Sequence, residues 1–128
     1  MPYLLDTSVA IHLRDQDPAI IQKIEGFDEP VLLSIISRIE LEGGVHRDPA
    51  NSGVRRSRLD FMLTYLPVLA FDDAAADAYR EIIEAAGYSR RKLLDRMIAA
   101  QALVHRATLV TMNAGDFRDV PGVDLLAW

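Results

Sequence analysis

The chain has no cysteine among its 128 residues, which excludes disulfides and thiolate metal ligands and leaves no mark of an oxidising compartment. It also lacks any long apolar run. The opening Met1-Pro2-Tyr3-Leu4-Leu5-Asp6 has no basic flank and meets a carboxylate early, so neither signal peptide nor membrane span is expected, and the expected address is cytoplasmic. No Pro/Gly/Ser-rich linker, low-complexity tract or internal repeat divides the sequence, so residues 1–128 are expected to form a single domain with a real core. Positive charge is in short supply, the formal net charge being −5. That argues against indiscriminate nucleic-acid binding, since phosphate contacts draw on Lys and Arg. Two runs are nevertheless locally basic, Arg55-Arg56-Ser57-Arg58 and Arg90-Arg91-Lys92, and each reads equally as a nucleic-acid contact or a solvated helix face.

What the chain does have is alternation. Short β-rich runs at Tyr3 to Leu5, Val31 to Ile35, Val68 to Phe71, Leu109 to Thr111 and Val123 to Leu126 are separated by helical patterns. The helices are expected over Ser8 to Arg14, from Asp17-Pro18, over Ser37 to His46, Asn51 to Tyr65, Asp73 to Ala86 with Gly87 closing it, and Arg91 to Arg106. Strand and helix in alternation predict an α/β fold with a parallel sheet, whose crossovers place the strand C-terminal ends on one edge.

Four acids fall near that edge, and each has an ordinary structural role as a rival. Asp6 ends a strand and could cap the next helix, unless Thr7 or Ser8 caps it and leaves the carboxylate facing outward. Glu40 fits a capping box with Ser37. Asp95 shares a helical face with Ile98, Ala99 and Ala102, so it needs a partner there, and Arg91 or Arg96 is available. Asp116 follows Thr111-Met112-Asn113-Ala114-Gly115, which is also plain turn chemistry. Brought together, the four would raise one another's pKa unless a cation intervened. The set contains oxygen ligands only, with none of the three histidines in these words, which favours Mg²⁺ or Mn²⁺ over zinc. Water activated by such an ion attacks phosphodiesters, leaving a 5′-phosphate and a 3′-hydroxyl.

The words Leu4-Leu5-Asp6-Thr7-Ser8, Ser37-Arg38-Ile39-Glu40-Leu41, Asp95-Arg96-Met97-Ile98-Ala99-Ala100 and Thr111-Met112-Asn113-Ala114-Gly115-Asp116-Phe117 together resemble the PIN-domain ribonucleases, and within them the VapC-type toxins of type II toxin–antitoxin systems. The resemblance runs from Leu4 to Trp128 and is densest at the two ends. It implies a PIN-like α/β/α sandwich, with a central parallel sheet flanked by helices. It also implies an Mg²⁺-dependent endoribonuclease cleaving structured RNA such as tRNA, a likeness to homodimeric toxins, and a cognate VapB-type antitoxin as partner. Catalytic and metal-binding roles carry over to Asp6, Glu40, Asp95 and Asp116, and accessory polar roles to Thr7, Ser8, Thr111 and Asn113. An antitoxin segment is expected across the acidic groove, gripped by apolar helix faces around Ile11 and Val45 to Leu59.

The chain departs from the family pattern at Ser8, where Asn is frequent, and at Ser89 to Leu94, where an apolar residue and a glycine often precede the helix acid. Two rival functions are a phosphotransfer domain, whose usual second Asp is replaced by Ser8, and a catalytically silent PIN-fold module that binds RNA or protein.

Overall fold

The computed structural model describes all 128 residues. Its order is β1 (Tyr3–Leu5), α1 (Thr7–Arg14), α2 (Pro18–Glu25), β2 (Val31–Ser34), α3 (Ile35–Arg47), α4 (Ser52–Tyr65), β3 (Val68–Leu69), α5 (Asp73–Ala86), α6 (Leu93–Val104), β4 (Thr108–Thr111) and β5 (Asp124–Ala127), with short 3-10 turns at Pro49–Asn51 and Ala114–Asp116. The five strands form one sheet in the order β3-β2-β1-β4-β5. Every pairing is parallel, as the alternation of strands and helices predicts.

Side-chain alternation along the strands builds a core on each face of the sheet. Leu5, Leu33 and Val110 meet Val9 and Leu13 of α1, Leu41 and Val45 of α3, and Leu59 and Met62 of α4. Their sequence neighbours Leu4 and Leu109 point the other way, onto Ile82 of α5, Ile98, Ala99 and Ala102 of α6, and Phe117. Beside Ile98 and Gln101 the inner face of α6 carries only alanines, so its backbone can lie close to the sheet. No helix is long and apolar enough to cross a membrane.

Local signals account for most boundaries. Asp17 caps α2 by accepting the Ala19 N–H at 3.0 Å, ahead of Pro18 at the first helical position. Asp72 does the same for α5 through Ala75 at 2.9 Å. Gly87 ends α5 at φ 85°, in the region that favours glycine.

Several elements differ from expectation in their bounds. Helix α3 begins at Ile35, capped by Ser34, whose Oγ accepts the Ile36 N–H at 3.0 Å. Ser37 is therefore inside the helix and makes no capping box with Glu40. Strand β3 stops at Leu69 because Gln101 of α6 donates through Nε2 to the carbonyls of Leu69 at 3.0 Å and Ala70 at 3.2 Å. A buried side chain thus replaces further strand pairing at this sheet edge. Helix α6 starts at Leu93 rather than Arg91, and β5 is displaced by one residue, to Asp124–Ala127.

Candidate active site

The C-terminal end of β1 lies between those of β2 and β4, with Leu5 in register with Leu33 on one side and Val110 on the other. The Asp6 N–H continues the ladder to the Val110 carbonyl at 2.9 Å. Asp6 is buried, 4% exposed, so its carboxylate must be bonded. Oδ1 accepts the Thr7 N–H at 2.7 Å, while Oδ2 accepts the hydroxyls of Thr111 at 2.7 Å and Ser8 at 3.1 Å. Capping and a place in the site are therefore not alternatives: Asp6 is the N-cap of α1, and neither Thr7 nor Ser8 releases it from that task.

The hydroxyls around it are oriented in turn. Thr111 Oγ1 accepts the Asn113 N–H at 2.9 Å, and Ser8 Oγ accepts the Met112 N–H at 3.4 Å. Asn113 takes part through this backbone group, its side chain being exposed.

On the neighbouring helix, Glu40 accepts the Thr7 hydroxyl at 2.8 Å, and the same Thr7 Oγ1 lies 2.8 Å from Ser37 Oγ. A threonine has one hydroxyl proton, and here it is committed to Glu40, so Ser37 must be the donor to Thr7. This gives a directed chain from Ser37 through Thr7 to Glu40. Ser37 is fully buried and belongs to the site, although the sequence offered it only as a cap. Its spacing from Glu40, three residues along one helix face, was the available signal.

Asp95 stands half-buried in the first turn of α6. Burial pushes its carboxyl up to about 6, and the charges of Asp6, Asp116 and Glu40 push the same way, in that order, with Arg91 opposing. Acids from four separate stretches thus act on one another through space. The expected ion pair is absent, since Arg96 donates instead to Asp119 at 3.0 Å and to the Gly87 carbonyl. Lys92 joins it, with Nζ 3.0 Å from the same Asp119 oxygen. Asp116 is half-buried in its 3-10 turn rather than directly after β4, and its N–H donates to the Asn113 carbonyl at 3.0 Å.

The acids are within electrostatic reach of one another but do not close into a cage. No three His, Cys, Asp or Glu side chains stand in a geometry that could hold an ion as they are. Hydroxyls anchor two of them where they stand, those of Thr111 and Ser8 holding Asp6 and that of Thr7 holding Glu40. The donor chemistry nevertheless fits a hard cation, with carboxylate oxygens only and one carboxyl whose charge is strongly disfavoured in isolation. His12, His46 and His105 are all exposed, and the only ring hydrogen bond runs from His12 to the Ser8 carbonyl at 2.9 Å.

Away from the acids, α1, α2 and α4 enclose an apolar groove of about 270 Å³, lined by Leu13, Ile21, Ile24, Phe61, Met62 and Tyr65 among others. None of the four acids lines it. On α4 it takes in Arg58, near the end of the Val45 to Leu59 stretch, and then residues closer to the helix's C-terminal end, and Ile11 is not among its residues.

Ribonuclease VapC2 of Rickettsia felis is 27% identical over an alignment of 135 residues, covering 100% of this chain and 98% of that protein. The crystal structure of VapBC2 from Rickettsia felis, bound to a DNA fragment from their promoter, superimposes with a TM-score of 0.87 at 26% identity, covering 100% of this chain and 99% of that one. The crystal structure of FitAcB from Neisseria gonorrhoeae gives 0.82 at 30% identity, covering 98% and 96%. With residues 3–123 matching the PIN domain and a five-stranded parallel sheet that carries the acids at its C-terminal edge, the chain belongs to the PIN domain family.

Proposed function

We propose that this chain is a divalent-metal-dependent endoribonuclease, working in the cytoplasm as the toxin of a VapBC-type toxin–antitoxin pair. The observation that carries this reading is the convergence of Asp6, Glu40 and Asp116 on the half-buried Asp95. Similarity over the whole chain to a protein named as a ribonuclease supports it. Asp6, Glu40, Asp95 and Asp116 hold Mg²⁺ or Mn²⁺, directly or through water. Mg²⁺ commonly takes only one or two carboxylates itself and keeps several waters, so a ready-made cage is not required. When bound, the ion supplies an activated water and neutralises charge on the phosphoryl oxygens.

The chain's own residues fix the directions of these acids. Thr111, Ser8 and the Thr7 N–H hold Asp6 to the end of β1, and Ser37 and Thr7 hold Glu40 against it. Supporting hydrogen bonds of this kind set the orientation and basicity of ligands. The structured RNA substrate, with tRNA as first choice, and assembly as a homodimer belong to the same reading, which takes residues 1–128 as one working domain. A VapB-type antitoxin segment lays its apolar side chains in the groove of α1, α2 and α4, and an Arg or Lys from it pairs with the acids in place of the ion.

Two measurements test this. Expression of the chain alone is expected to arrest bacterial growth, and co-expression of the gene immediately upstream to relieve the arrest. The purified protein is expected to cut RNA with Mg²⁺ or Mn²⁺ and not in EDTA. A folded, accumulated protein that leaves growth unaffected ends the toxin reading, and RNA binding without metal-dependent cutting favours the silent binding module.

A further inference from the structure

The two basic runs have different fates in the fold. In the first, Arg55 is spent on the Gly44 carbonyl at 2.8 Å and Asp48 at 3.8 Å, and Arg56 on Glu42 at 2.5 Å and Asp60 at 2.6 Å. Arg58 lines the apolar groove. That run ties α3 to α4 and has little charge left to offer a partner.

The second run leads into α6 and divides. Lys92 and the buried Arg96 converge on one Asp119 oxygen, each at 3.0 Å, and Arg96 also holds the Gly87 carbonyl. This clamp joins the end of α5, the start of α6 and the segment just past Asp116. Arg90 and Arg91, between the clamped points, are exposed and form no ion pair. Their backbone is held all the same: the Leu93 N–H donates to the Arg90 carbonyl at 3.3 Å, and the Lys92 N–H to Ser89 Oγ at 3.3 Å. Two free guanidinium groups thus project from an anchored turn that leads directly to Asp95. Arg91 is the cation whose charge reaches that carboxylate. An acidic chain that brings a polyanion to an acidic site needs positive charge beside it, and among its basic runs this is the pair left unspent.

We propose that Arg90 and Arg91 are substrate-positioning residues, which bind successive backbone phosphates of the RNA and draw the scissile bond over the four acids. This rests on the ribonuclease reading above. Such contacts are made equally before and during cleavage, so they act on KM far more than on kcat. They also release counterions, which gives them a signature that a structural role lacks.

The experiment measures the Kd of fluorescein-labelled bulk bacterial tRNA in EDTA, against salt concentration. Wild type is compared with Arg90→Ala/Arg91→Ala, Arg90→Lys/Arg91→Lys and a charge-matched control, Arg47→Ala/Arg106→Ala. Two lost contacts lower the slope of log K against log salt by about 1.4 to 1.8, so the wild-type advantage shrinks about tenfold between about 50 and 200 mM salt. The lysine pair is expected to retain most of the slope and the control to keep all of it. Neither Arg90 nor Arg91 forms an internal ion pair or side-chain hydrogen bond, so the alanine pair stays folded; loss of the Arg91 charge near Asp95 lowers its melting temperature only slightly, and the lysine pair keeps that charge. With Mg²⁺ present, the alanine pair is expected to show raised KM. Equal slopes for wild type and the alanine pair, or a fall in kcat alone, overturn the assignment while leaving the ribonuclease reading standing. Absence of any RNA binding or cutting by the wild type overturns both.

Discussion

Asn in place of Asp95 is expected to make the metal-free protein more stable, and only above a definite pH. In the fold the carboxyl titrates near 6 instead of 3.8, through burial and through Asp6, Asp116 and Glu40. An acid whose folded pKa lies above its unfolded value binds more protons in the native state. Its effect is absent below the unfolded value, and native stability is lost as pH rises through the folded one. At about 1.4 kcal/mol per pKa unit, the full effect is about 3 kcal/mol. Solvent screening of a half-buried group reduces this to about 1–2 kcal/mol. Asp95→Asn removes the penalty while keeping the side chain's shape. Its melting temperature in EDTA should match wild type near pH 3.5 and exceed it by roughly 3–8 °C at pH 8, with the gap opening between about pH 4 and pH 6.5. Thermal melts across that range, followed by circular dichroism, decide the matter. A gap that is the same at pH 3.5 and pH 8, or of opposite sign at pH 8, would falsify the claim that the other three acids bear on Asp95.

Asp6→Asn is expected to abolish cleavage but, unlike Asp95→Asn, to destabilise the protein by about 1–2 kcal/mol, because an amide nitrogen replaces an oxygen that accepts hydrogen bonds; a variant that cuts RNA normally removes Asp6 from the mechanism. Mg²⁺ or Mn²⁺ is expected to raise the melting temperature of the wild type and to leave an Asp6→Asn/Asp95→Asn double variant unmoved, since an ion held only by the native site stabilises by mass action. Equal shifts in the two proteins point to general ion effects and count against the site.

The fold was legible where local chemistry acts alone. Asp17-Pro18 opens α2 and Gly87 closes α5, and neither depends on distant residues. Reading failed where a remote side chain decides. Ile35 reads as the end of a strand, yet the chain turns into helix at Ser34, whose hydroxyl both caps α3 and donates to Gln101, 67 residues away. Gln101 also trims β3. The four acidic words were legible one by one, but that Thr7, Ser8 and Thr111 bond to Asp6 and Glu40 is a matter of tertiary contact. Ser37 was misassigned because it stands three residues before Glu40, the spacing of a capping box, and only the helix start at Ile35, capped by Ser34, rules that box out. The division of Arg90-Arg91-Lys92 into free and clamped members depends on Asp119, which lies 27 residues beyond Lys92 and carries no local signal.

The bond between Thr111 and Asp6 spans 105 residues and joins two strands that are neighbours at the centre of the sheet. During synthesis β1 and β2 emerge early, but the slot beside β1 stays empty until β4 has left the ribosome, and β5 follows after that. Long-range parallel pairing of this kind forms late, after its loop-closure entropy has been met. Asp6 therefore lacks its Thr111 donor, and Asp95 lacks Asp116, throughout most of translation. A chain released prematurely anywhere before Thr108 carries at most three of the four acids, and no assembled edge. On the ribonuclease reading proposed above, this topology withholds the assembled edge, and with it any cutting, until β4 has been made.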